Sequence, residues 1–99
     1  MKSYALSLTK LSQKDIYLSE AFYEEQSQNL GTYFYNSIIS DLDTLKFYAG
    51  IHAKYFGFHR MLTKRFPYVI YYEIKDEIVI VHAILHTRKD FKAIKDRLA

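Results

Sequence analysis

The 99-residue sequence contains no cysteine and no tryptophan, one proline and three glycines. Without cysteine there are no disulfides, and nothing marks adaptation to an oxidising compartment. With so little proline and glycine, and no low-complexity tract or internal repeat, no linker divides the chain. Long apolar runs are missing as well: no window approaches about 18 apolar residues, the length needed to span a bilayer. Met1 to Leu11 carries Lys2 but neither a long apolar run nor a small-residue cleavage pattern. The expectation is a cytoplasmic protein with no membrane partner. The G-x-S-x-G, H-E-x-x-H, P-loop and G-x-G-x-x-G patterns are absent too, so the common hydrolase, zinc-protease and nucleotide-binding signatures are missing and no cofactor is called for.

A hydrophobic content of 49% over 99 residues suffices for one core, so one domain spanning residues 1–99 is expected. A domain this small gains working stability from any partner that covers apolar surface. The net charge of +3 is unevenly distributed. Met1 to Asp43 has three lysines against six carboxylates, and Glu73 to Ala99 has six cations against five acids. Thr44 to Tyr72, in contrast, has five cations (Lys46, Lys54, Arg60, Lys64, Arg65) and no acid. An acid-free stretch of this kind is either a solvated face or a site for a polyanion or an acidic protein segment.

Tyr4, Leu6 and Leu8 alternate with small residues, which predicts a strand over residues 2–8. Ser12 and Asp15 form an S-x-x-D start, with Leu11 and Ile16 placed as a hydrophobic staple, and the helix they begin should stop near Asn29 to Gly31. Phe34, Ile38, Leu42, Leu45 and Ala49 give a second helix one apolar stripe, ended by Gly50. A strand is expected over residues 55–65, with Arg60 and Lys64 on one face, and Pro67 should mark a bend or strand start. Tyr68–Ile74 and Ile78–Leu85 read as a hairpin joined through Lys75-Asp76-Glu77, the second strand covered on both faces. Phe91, Ile94 and Leu98 predict a short final helix within Asp90–Leu98, free to be mobile. The sum is an α+β fold: an N-terminal strand, an antiparallel two-helix hairpin on a three- to four-stranded antiparallel sheet, and a C-terminal helix.

His82 and His86 invite a metal reading, but on a strand they lie about 13 Å apart, too far to chelate one ion unaided. His82 fits a sheet-face histidine with a hydrogen-bond partner. Metal-free RNA cleavage needs acid/base groups and cations that stabilise a pentavalent phosphate while the 2′-hydroxyl attacks. Arg60, Lys64, Arg65, His86, Arg88 and Lys89 are the candidates, with Tyr68, Tyr71 and Tyr72 available to stack on bases. Ten tyrosines must nonetheless pack somewhere, so any one of them is more often core or rim.

The order of elements, the string Lys64-Arg65-Phe66-Pro67-Tyr68-Val69-Ile70-Tyr71-Tyr72 and the ending His86-Thr87-Arg88-Lys89-Asp90 resemble the RelE/ParE toxin family of bacterial type II toxin–antitoxin systems, the plasmid-stabilisation type. The resemblance implies a toxin held in a hetero-oligomer by a cognate antitoxin. It also implies one of two activities: ribosome-dependent cleavage of mRNA, carried by Lys and Arg on the middle strands, or noncatalytic inhibition of DNA gyrase. Under the first, Arg60, Lys64, His86, Arg88 and Lys89 would be catalytic. Under the second, Arg60, Lys64, Arg65, Tyr68, Tyr72 and Arg88 would form a binding surface. Val69 and Leu62 stand where RelE-like nucleases carry arginine and lysine, and the last tyrosine is Tyr72, so no C-terminal tyrosine is available. The expectation is therefore the ParE-like activity, with the RelE-like nuclease and an inactive binding module of the same fold as alternatives.

Overall fold

A computed structural model gives the structure of residues 2–99. The elements are β1 (Ala5–Leu8), α1 (Lys10–Gln26), α2 (Leu30–Tyr48), β2 (Lys54–Tyr55), β3 (Phe58–Leu62), β4 (Tyr68–Lys75), β5 (Ile78–His86) and α3 (Phe91–Leu98). The strands form one sheet in the order β1-β5-β4-β3-β2, antiparallel except for β1, which runs parallel to β5. The α+β architecture is as expected, but the sheet has five strands rather than three or four. β1 joins its edge, and the segment over residues 55–65 is a hairpin, not one strand. Phe56 and Gly57 both adopt positive φ (54° and 85°), which reverses the chain between the paired residues Tyr55 and Phe58. β3 ends at Leu62, so Lys64 lies in the β3–β4 loop, off the strand it was expected to share with Arg60.

The expected helix start is displaced. β1 ends with Leu8 opposite Val81, and the Thr9 N–H continues the pairing to the Val81 carbonyl, so the chain must turn at Thr9. The Thr9 hydroxyl accepts from the Ser12 N–H at 3.2 Å, and the buried Ser12 hydroxyl donates back to the Thr9 carbonyl at 2.8 Å. Thr9 is therefore the cap of α1, and Asp15 is released for another use. Leu11 is exposed and closes no staple with the buried Ile16. At the other end α1 stops at Gln26, and the left-handed residue is Asn29 (φ 69°). Gly31, expected as a stop, lies inside α2. A Cβ there would sit 2.6 Å from the Glu20 carbonyl oxygen, so the glycine permits the close approach of the two helices. The Glu24 carboxylate accepts from the Asn29 and Gly31 N–H groups, both at 2.9 Å, and so caps α2 from the neighbouring helix. Gly50 (φ 97°) does follow α2, as expected.

Two cores flank the sheet. On one face Ile16, Phe34, Ile38, Leu42 and Leu45 from the helical hairpin pack against Met61, Tyr68, Ile70, Tyr72, Val79, Val81 and Ile84. On the other, Ile94 and Leu98 of α3 cover Val69, Tyr71, Ala83 and Leu85, with Tyr55 and Phe58 at the margin. β5 thus has both faces covered, which accounts for its unbroken apolar sequence. A bulge at Tyr71/Tyr72 leaves His82 without a partner across the ladder.

β1 pairs with β5 only as far as Val81. Beyond it Asp15 takes over the edge, its Oδ2 accepting from the Ile84 N–H at 2.9 Å. Arg97 grips the same carboxylate through both terminal nitrogens (2.8 and 2.7 Å) and donates to the His82 carbonyl at 3.2 Å. One ion pair therefore ties α1, the edge of β5 and α3 together. The final helix is pinned through Arg97, Ile94 and Leu98.

Candidate binding surface

The register of the sheet decides which expected site residues share a face. Arg60 lies opposite Tyr71 and Leu62 opposite Val69, so both are on the α3 side. The Arg60 guanidinium sits 5.6 Å over the Tyr55 ring. His86 lies opposite Tyr68, which belongs to the core under the helical hairpin, and the two rings meet edge-to-face at 5.3 Å. Arg60 and His86 are thus on opposite faces of the sheet. His86 Nδ1 accepts from the Arg88 N–H at 3.0 Å, which fixes the turn after β5. His86 and Lys89 line a cleft of 190 Å³ with Asp15, Leu18, Ser19 and Tyr68. Lys64 and Arg65 sit elsewhere again. The Lys64 N–H donates to Asp41 on α2, and Arg65 lines a shallow cleft with Tyr33, Asn36, Ser37 and Ser40. Burial raises the pKa of the Asp41 carboxyl, while this hydrogen bond, Arg65 and Lys64 oppose the rise. Among the described residues Arg60, Lys64, Arg65, Arg88 and Lys89 form no ion pairs.

The three tyrosines considered for base stacking are core residues. Tyr71 and Tyr72 are fully buried, and Tyr68 nearly so, its hydroxyl donating to Ser19 at 3.0 Å. Tyr72 accepts from the Gly50 N–H at 3.0 Å and meets His52 Nδ1 at 2.6 Å, while His59 stacks on its ring at 4.9 Å. Tyr68 and Tyr72 therefore keep no ring face for a ligand, because the core under the helical hairpin uses both. Burial raises the Tyr72 pKa, and burial next to Tyr68 pushes Tyr23 up to about 12, so these phenols stay neutral. His82 has the sheet-face partner expected of it, Glu73, at 2.5 Å, with Phe58 edge-on to its ring. Leu62 is exposed and Val69 is buried beneath α3.

Two features escape sequence reading. One is the Asp15–Arg97 pair, whose partners are 82 residues apart. The other is an aromatic group at the β2–β3 turn. Phe56 packs on Tyr55 (centroids 4.6 Å apart) and Phe91 (5.0 Å), and Tyr55 faces Phe91 at 6.0 Å. The pair Phe56-Gly57 between alternating residues was its only local signal. Phenylalanine at φ 54° is an expensive choice for this turn, costing roughly 1–2 kcal/mol against glycine or asparagine.

These elements make up a small α+β fold already seen in a toxin–antitoxin protein. A solved structure described as the chromosomal ParDE TA system from P. aeruginosa superposes with a TM-score of 0.77, over 85% of this chain and 96% of that one, at 15% identity. At that identity the likeness is one of fold. The sequence model of the ParE toxin of the type II toxin–antitoxin system parDE matches residues 6–91, and the chain belongs to that family. No curated protein sequence matches it.

Proposed function

We propose that this chain is the toxin of a toxin–antitoxin pair that stops growth by binding a large protein target, DNA gyrase, and is neutralised by a cognate antitoxin in the cytoplasm. The observation that carries the noncatalytic reading is the dispersal of its cations. Arg60 and His86 lie on opposite sheet faces, and Lys64 and Arg65 lie over α2. Metal-free cleavage of RNA needs acid, base and phosphate-stabilising cation around one phosphate, within hydrogen-bond reach. The burial of Val69 under α3 further supports binding over catalysis, because no cation fits there without opening the second core. Arg60 and Arg88 are the expected contributors to target binding.

Induced expression of the chain tests this in cells. Growth should stop, plasmid DNA should lose negative supercoils, and co-expression of the neighbouring antitoxin gene should restore both. Arrest with normal plasmid topology and messages cut within codons would establish the nuclease reading instead.

A further inference from the structure

The α3 side of the sheet carries an exposed group that neither core requires. Leu62 is 60% exposed, Phe91 59% and Phe56 37%. They lie in one band: Phe56 and Phe91 in contact, both touching Tyr55, Arg60 over Tyr55, and Leu62 two residues further along β3 on the same face. β2, its turn and β3 all belong to the acid-free stretch, and Arg60 forms no ion pair among the described residues. The acid nearest to Phe91 in sequence, Asp90, is occupied in capping α3 through the Ala93 N–H at 2.7 Å. The aromatic residue is also set where the backbone disfavours it, since a two-residue turn with positive φ at both positions suits asparagine or glycine at the place of Phe56. Exposed apolar side chains around an unpaired arginine, one of them at a strained turn, are characteristic of a protein-docking centre.

From this we infer that the band Phe56, Phe91, Arg60 and Leu62 is the surface by which the toxin grips its protein target, and that the target presents an acidic segment with an apolar anchor. The inference rests on the protein-target reading of the preceding section. The charge complement of Arg60 is a carboxylate, and Leu62, Phe56 and Phe91 fit an aliphatic or aromatic side chain. Single-stranded RNA fits less well. Phe56 and Phe91 meet edge-on at 69°, and Arg60 covers Tyr55, so no parallel ring faces stand open for successive bases. The apolar groove between the helices, lined by Leu8, Ile16, Tyr17, Tyr35 and Ile39, carries no charged side chain and is a different surface.

The test uses the full chain as wild type and as Phe56→Asn, Leu62→Ser and Arg60→Glu, with Phe22→Ser as control. Phe22, an aromatic on α1, is exposed to nearly the same degree as Phe91 and Leu62. Three readouts are taken: growth arrest on induction, affinity for purified gyrase, and Tm. We expect Phe56→Asn, Leu62→Ser and Arg60→Glu each to weaken gyrase binding by more than about tenfold and to relieve growth arrest. Phe22→Ser should do neither, and asparagine, suited to the turn, should leave Tm unchanged or raised. A Tm that falls with Phe56→Asn in step with activity would make the aromatics a brace for α3 and overturn the inference. Growth arrest and gyrase binding that persist in all three variants would also overturn it, while leaving the target reading intact. A wild type that arrests growth without binding gyrase refutes gyrase as target. The growth readout then decides the surface, and loss of ribosome-dependent message cleavage in the variants would make it a nucleic-acid site and refute the protein-docking claim. A wild type that does not arrest growth removes both readings.

Discussion

Replacing Asp15 by alanine removes three hydrogen bonds at once: two from Arg97 and one from the Ile84 N–H. It leaves the Arg97 guanidinium, whose side chain is only 20% exposed and whose Nε already lacks a partner, uncompensated against the edge of β5. Removing one member of a buried ion pair costs about 3–5 kcal/mol, and the partial exposure of both side chains favours the lower end. For a domain of this size about 3 kcal/mol lowers Tm by roughly 12–24 °C. Thermal and urea denaturation followed by circular dichroism measure it directly. A double-mutant cycle with Arg97→Met isolates the pair: the double variant should recover part of the loss, with a coupling above about 1 kcal/mol. A loss under about 1 kcal/mol for Asp15→Ala, or a coupling no larger than that of an exposed pair, would refute the claim that this contact pins α3 across the sheet edge.

Glu24→Ala, which uncaps α2, should cost about 1–2 kcal/mol by urea denaturation. Gly31→Ala should destabilise by about 1–3 kcal/mol despite alanine's better helix propensity, because its Cβ would meet the Glu20 carbonyl; a gain in stability would contradict the packing given for the helical hairpin. Tyr72→Phe leaves the Gly50 N–H and His52 without their shared partner and should lose about 1–3 kcal/mol. Burial, then His59, lowers the His52 pKa below its ordinary value of 6.5, so the unfolded chain takes up that proton first. His52 thus adds to stability above that value, and the contribution is lost as the pH falls through it toward the lower folded pKa. Urea midpoints across this window should drop on acidification, and His52→Gln should flatten the slope.

The patterns that place α2, the β4–β5 hairpin and α3 are short-range, and residues such as Phe34, Ile38 and Leu45 reveal their burial through spacing alone. Ser12 and Asp15 satisfy a local capping pattern, yet α1 starts at Lys10 behind its cap Thr9. What overrides it is the register of β1 on β5, a contact between residues more than seventy positions apart. Gly31 looked like a stop because a glycine's left-handed use and its use at a close helix contact are identical in sequence. At the site, the charge asymmetry draws attention to Arg60 but cannot say which face it occupies. That depends on strand pairing, and β3 ends at Leu62, before Lys64 is reached. Tyr68 and Tyr72 looked available for stacking because a tyrosine's sequence neighbours do not show which face of a sheet is covered.

A noncatalytic toxin directed at gyrase is told apart from a nuclease by titrating the purified chain into a gyrase supercoiling reaction alongside a translation reaction on purified ribosomes. Supercoiling should be lost at near-stoichiometric toxin and restored by the antitoxin, with the message left intact. Untouched supercoiling at large molar excess together with cleaved message on the ribosome would contradict the gyrase reading.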